Sequence, residues 1–164
     1  MAATLVELRV LGRREEIPGR RILPAMDEQQ ANSRWWIRAV LAWLAILVLA
    51  IANGALREAY LLPAWGRPAG LLASGLLLSL AILAVAFAAL PWLAASSTAR
   101  AWRIGVAWLL MTLAFEFGFG ALVQHRTLDE MLAAYTFRDG NLWPLVLLVT
   151  LLSPVLALRA RRSR

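Results

Sequence analysis

From Pro68 to Ala99 the chain runs for 32 residues without a charged side chain. An α-helix needs about 20 apolar residues to cross roughly 30 Å of hydrocarbon. This run exceeds that length, so it can tilt or continue past the interface. Three more runs qualify: about Trp35–Leu56, uncharged from Ala39 onward, then Trp102–Val123 and Leu142–Leu158. The 164 residues are 61% hydrophobic and 16% charged, with a mean hydropathy of +0.66. One globular core of this size cannot hide so much apolar surface, whereas lipid can. The expectation is an all-α polytopic membrane protein of four spans, at about 35–56, 70–93, 102–123 and 142–158. A polar extension (1–34) precedes the spans and a basic tail (159–164) follows them.

The net charge of +7 comes with 17 basic residues, every one an arginine. They gather at the ends of the apolar runs and in the tails. That placement is a topology signal and a contact for anionic lipids, not a nucleic-acid surface. With both termini cytoplasmic, Arg34, Arg38, Arg100, Arg103, Arg159, Arg161, Arg162 and Arg164 lie inside, against Arg57, Arg67, Arg126 and Arg138 outside. The positive-inside rule favours this orientation, in a bacterial inner membrane. Trp35, Trp36, Trp92 and Trp102 fit one interfacial belt, and Trp65 and Trp143 the other. Trp43 and Trp108 lie deeper and are expected between helices. Ala81, Ala84 and Ala88 offer a small-residue stripe for close helix contact. Pro154 should kink the last span and free a carbonyl near Thr150.

Thr127-Leu-Asp-Glu130 matches a capping box, and Leu128, Met131, Leu132 and Tyr135 follow at helical spacing. This predicts a helix over 128–137. It is either amphipathic at the interface or packed on the loop ends. Asp139-Gly-Asn141 is turn chemistry, with Asn141 a good N-cap for the last span. In the extension, Thr4–Leu11 alternates as a strand does. Arg13–Met26 has linker composition, and the Met26-Asp-Glu-Gln-Gln context makes an over-extended gene start one hypothesis for residues 1–25.

Glu116 stands alone among apolar residues in Leu113-Ala-Phe-Glu-Phe-Gly-Phe-Gly120. A charge at that depth costs about 2.5–3.5 kcal/mol on insertion scales, so it usually has a partner. At 1.5 Å per residue it lies roughly 20 Å from Arg103 and about 10 Å below the outer interface. The outer end of the first span, Asn53-Gly-Ala-Leu-Arg57-Glu58, lies at the same level. Asn53 and Arg57 share a helix face. The expected intramembrane cluster is Glu116 paired with Arg57, with Asn53, Thr112 and Glu58 around them. It serves as a register-fixing ion pair, a proton or substrate site, or a contact with another subunit. His125, Tyr135, Asp139, Asn141 and Trp143 form a second candidate group, an outer-face pocket.

The chain has no cysteine and one histidine. Disulfides, thiolate metal sites, paired-histidine haem and cysteine nucleophiles are therefore out of reach. No phosphate loop, zinc-protease or nucleophile-elbow motif occurs. No metal, cofactor or catalytic residue is expected. The elements Asn-Gly-x-Leu-Arg-Glu, a glutamate in a Phe- and Gly-rich span, and Leu-Trp-Pro-Leu-Val-Leu-Leu together resemble a set of small bacterial four-span membrane proteins. That resemblance covers most of residues 35–158 and implies the architecture but no activity. Two functions emerge from the residues: a non-enzymatic accessory or scaffolding subunit of a larger membrane complex, or a small oligomeric transporter or channel component using Glu116. The partners expected are the bilayer with its anionic lipids, and another protein or further copies of this chain.

Overall fold

The computed structural model describes residues 22–133 and 135–163, with side-chain environments from 34 onward except at 138. The chain divides into two compact units, Met1–Arg34 and Trp35–Arg164. The strand expected at Thr4–Leu11 and the gene-start question at residues 1–25 fall largely or wholly outside the described residues. Of the first unit, residues 22–34 are helical, which overlaps the predicted linker. Pro24 is accommodated there because a first-turn residue needs no backbone N–H.

The described residues are helical, with no strand among them. Helix α1 is Ile22–Leu56, followed without a break by a π-helical turn, Arg57–Leu61. Then come α2 (Leu62–Ala89), α3 (Thr98–Leu122), the short α4 (Leu128–Ala133), a 3₁₀ turn at Arg138–Gly140, and α5 (Trp143–Arg162). Among the described residues, three helical stretches are long and apolar enough to cross a membrane: Arg34–Ala89, Thr98–Leu122 and Trp143–Arg162. The first is 56 residues long and is interrupted at Gly66, where φ 74° and ψ 172° leave helical space altogether. Only glycine adopts that region readily. No open loop over 57–67 separates the first two apolar runs, because the backbone stays helical up to this point. Side chains on the two sides of Gly66 meet. Asn53 Nδ2 donates to Ser74 Oγ at 2.8 Å, and Arg38 Nη1 donates to the Trp92 carbonyl at 2.8 Å.

α5 packs against both α2 and α3. The core is built from Ala39, Ala42 and Ile46 of α1, Leu78, Ile82 and Ala86 of α2, Ala101, Ile104 and Trp108 of α3, and Val146, Val155, Ala157 and Leu158 of α5. At Gly105 a Cβ would overlap the Leu151 carbonyl oxygen, so α3 and α5 meet backbone to backbone. Trp108 is fully buried and its indole N–H donates to the Ala39 carbonyl at 2.8 Å, as the expected packing between helices requires. The close-contact face of α2 is not the predicted alanine stripe. Ala84 and Ala88 are exposed, and Gly70, Ser74, Leu78, Ile82 and Ala86, each four residues apart, face inward instead.

Buried hydroxyls in the long helices bond back to their own turn, as Thr150 does to the Val146 carbonyl at 2.9 Å. Pro154 removes the donor that the Thr150 carbonyl would have had. The Ser153 hydroxyl takes up that carbonyl at 3.3 Å. The outward faces carry Val48, Ile51, Leu76, Leu80, Leu110 and Leu148, all exposed. In water such a surface would drive association, and in a bilayer it is the lipid contact. Length, composition and exterior together make this a membrane protein. Trp36, Trp92, Trp102 and Trp65 are exposed as a belt requires, whereas Trp35 is a core residue at 5% exposure.

One end of the Trp35–Arg164 unit is tied by arginines. Beyond the Arg38 contact, Arg100 Nη1 donates to Ala94 O at 2.7 Å, Arg161 Nη2 to Phe87 O at 2.8 Å, and Arg162 Nη2 to Ser96 O at 2.7 Å. The last carbonyls of a helix have no partner within it. Here guanidinium groups from α1, α3 and α5 satisfy the end of α2 and the turn after it.

Candidate functional site

Two adjoining cavities occupy the other end. The outer one has a volume of about 770 Å³ and is lined by α3 around Glu116, by the 124–143 connection and by the residues around Gly66. The inner one, about 400 Å³, extends between α1, α2, α3 and α5. Arg57, Leu71, Phe115, Glu116, Phe119, Gln124, Asn141 and Trp143 line both. The two residue groups that the sequence presents as separate candidates therefore surround one continuous recess. Asn53 and Thr112 line its inner part, and Glu58, Tyr135 and Asp139 its outer part. His125 is the exception, being exposed, with φ 53°, and lining neither cavity.

The hydrogen-bonded cluster expected around Glu116 does not form. Arg57 Nε pairs with the adjacent Glu58 Oε1 at 3.1 Å instead. Glu58 is exposed and Arg57 half-buried, so solvent still screens the pair and it is worth at most about 1 kcal/mol. Thr112 is committed elsewhere, accepting from Trp43 Nε1 at 3.1 Å and donating to the Trp108 carbonyl at 2.8 Å. Asn53 turns its amide nitrogen to Ser74. Glu116, half-buried, makes no hydrogen bond and no ion pair among the described residues. Arg57 and Arg126 act on it only through their fields.

Other polar groups are also left over at this recess. Asn53 is buried and its Oδ1 accepts nothing. The Tyr135 hydroxyl and the Trp143 indole N–H are buried without a completed hydrogen bond, although the indole leans toward the phenol oxygen. Burial raises the Tyr135 pKa above 10.0, the Glu116 charge pushes the same way, and the Trp143 indole opposes them. Native proteins leave few such groups, and each calls for an explanation.

The walls have local causes. The Thr127 backbone N–H donates to Glu130 Oε2 at 2.9 Å, and the Glu130 N–H to Thr127 Oγ1 at 3.4 Å, so the capping box forms as its spacing predicts. The helix it starts ends at Ala133, short of the predicted Phe137, and Tyr135 lies past it in a turn. Tyr135 stacks on Phe117 with ring centroids 5.9 Å apart. The 3₁₀ turn at Arg138–Gly140 packs on α2, and Asn141 Oδ1 accepts the Trp143 N–H at 3.0 Å. Sequence reasoning missed Ser74, Trp43, Gln124 and the Phe115–Phe119 stack as parts of the recess. Ser74, one of two hydroxyls with Ser79 in the middle of an uncharged run, was the one legible signal.

No metal-binding group of three or more acidic or histidine side chains occurs among the described residues. The chain matches no protein-family model, no curated protein and no solved structure.

Proposed function

We propose that this chain is a four-span integral membrane protein of transporter type, in which Glu116 is the proton or solute site. One observation carries the reading: a carboxylate deep in an apolar helix faces a recess without a partner. A glutamate kept only to fix helix register needs a cation within reach. Arg57, the obvious one, is engaged by Glu58. The four-span reading is supported by the break at Gly66 and by the pairs Asn53–Ser74 and Arg38–Trp92 across it. Termini on the cytoplasmic side agree with the arginine-tied end being the more basic one, where anionic lipids of the inner leaflet would bind. The six-residue α4, with Leu128 and Leu132 exposed, would then lie at the outer interface.

Reconstituted into vesicles with an entrapped pH dye, the protein is expected to pass protons under an imposed gradient. Glu116→Gln is expected to abolish that flux, and equal rates in the two proteins would remove Glu116 from the mechanism. The accessory-subunit reading stays as the competitor, since a partner chain seated against Glu116 would supply the missing contact. It requires a stoichiometric foreign partner on purification in mild detergent, released by Glu116→Gln.

A further inference from the structure

The side chains of the recess point to a class of ligand as well as to a site, provided that Glu116 has the role proposed above. The charged side chains that line it are Arg57, Arg67 and Arg126 against Glu58, Glu116 and Asp139. Arg57 and Glu58 neutralise one another. Arg67 and Arg126, both exposed, make no side-chain hydrogen bond or ion pair among the described residues. The open charges are thus of both signs. Arg67, Arg126 and the exposed Asp139 line only the outer cavity, which leaves it net positive, whereas Glu116 lines both. Beyond Glu116 the inner cavity offers Trp43, Ile46, Leu71, Leu78 and Phe119, and the buried, unpartnered acceptor Asn53 Oδ1.

A ligand that matches this order has an apolar group innermost, a hydrogen-bond-donating cation next and an anion outermost. We propose that the recess binds a free α-amino acid with a large apolar side chain. The ammonium is held by Glu116 and Asn53, the carboxylate by Arg126 and Arg67, and the side chain in the inner cavity. A purely cationic or purely anionic ligand would leave charges of one sign unanswered. An ethanolamine phospholipid has the same two charges in the opposite order, with its phosphate between chain and ammonium, so its tail would not enter the inner cavity with the charges matched. A quaternary ammonium has no N–H for Asn53 Oδ1. The inner volume lies within the range of ordinary small-molecule pockets.

The test is a binding titration on the full-length protein in detergent. The panel is phenylalanine, phenylethylamine, 3-phenylpropanoate, N,N,N-trimethylphenylalanine and dihexanoyl phosphatidylethanolamine. Phenylalanine is expected to bind best. Loss of either charge, or methylation of the ammonium, should weaken binding about tenfold or more, the scale of one charge-assisted hydrogen bond. Glu116→Gln should weaken phenylalanine and phenylethylamine alike. Arg67→Gln combined with Arg126→Gln, at exposed positions, should weaken phenylalanine without weakening phenylethylamine. Glu116-dependent binding that prefers phenylethylamine, the trimethylated compound or the phospholipid overturns the amino-acid assignment and keeps the Glu116 site. Phenylalanine binding that is equal in wild type and Glu116→Gln overturns both. No binding by wild type of any compound in the panel overturns the assignment.

Discussion

Gly66 and Gly54 make a matched pair of experiments. A Cβ built at either position meets nothing within 4 Å, so neither substitution is limited by space. They differ in backbone conformation. Gly54 lies inside α1 with helical geometry, where alanine gains about 0.5–1 kcal/mol over glycine. Gly66 sits at φ 74° and ψ 172°, a region that costs a residue with a Cβ about 1–3 kcal/mol. Gly54→Ala is therefore expected to raise stability and Gly66→Ala to lower it, with a gap of about 1.5–4 kcal/mol between the variants. For a chain of this size that is about 3–16 °C in melting temperature. Thermal unfolding of both variants in the same detergent, followed by circular dichroism at 222 nm, reads the gap. Should Gly66→Ala melt at or above the wild-type temperature, residue 66 is helical. The Arg34–Ala89 stretch would then run through without folding back.

Trp108→Phe removes the indole N–H that donates to the Ala39 carbonyl at the centre of the bundle; that carbonyl keeps its own helical partner, so the loss should be that of one net hydrogen bond, about 0.5–1.5 kcal/mol, read by the same melt. Thr127→Ala breaks one half of the capping box, at about 1 kcal/mol. A double-mutant cycle with Glu130→Ala should then show coupling rather than simple addition. For Tyr135, the tyrosinate absorbance at 295 nm lost in Tyr135→Phe should have its midpoint above pH 10.0. The folded phenol holds its proton more tightly than the unfolded one, so its contribution to stability is complete below pH 10 and fades as pH rises through that midpoint. Glu116→Gln should lower the midpoint, since the carboxylate charge is part of the cause; an unchanged midpoint would place Glu116 out of electrical reach of Tyr135.

The long helices were legible because a bilayer makes hydrophobic length nearly sufficient for locating them. The packing of Trp108 between helices and the carbonyl that Pro154 frees at Thr150 were legible too, whereas the Ser153 hydroxyl that takes up that carbonyl was not. What failed was the partner of Glu116. Shared helical spacing put Arg57 on the face of Asn53 and aimed it inward. It could not show that a π turn begins at Arg57, nor that Glu58 offers a carboxylate one residue away in wetter surroundings. Thr112 was lost to a competitor on another helix, Trp43, whose indole needed an acceptor. Spacing along one helix says nothing about such competition. An outer-face pocket at Tyr135, Asp139, Asn141 and Trp143 was legible, but its continuity with the Glu116 group was not: the walls come from four helices and the 124–143 connection, and only their packing joins the two. The alanine stripe misled because small size alone does not choose a face, whereas the Gly70–Ala86 series, four residues apart, lines up on one.

Because the chain has no cysteine, one introduced thiol reports one place. The most direct test is Glu116→Cys beside Leu110→Cys, which sits on an exposed apolar face of the same helix. Each is treated in intact vesicles with a charged, membrane-impermeant thiol reagent. Position 116 is predicted to react, because it opens on the recess, and position 110 to stay unmodified in lipid. Failure of position 116 to react, while a lipid-soluble maleimide labels both, would mean that the carboxylate faces bilayer or packed protein and that no site exists there.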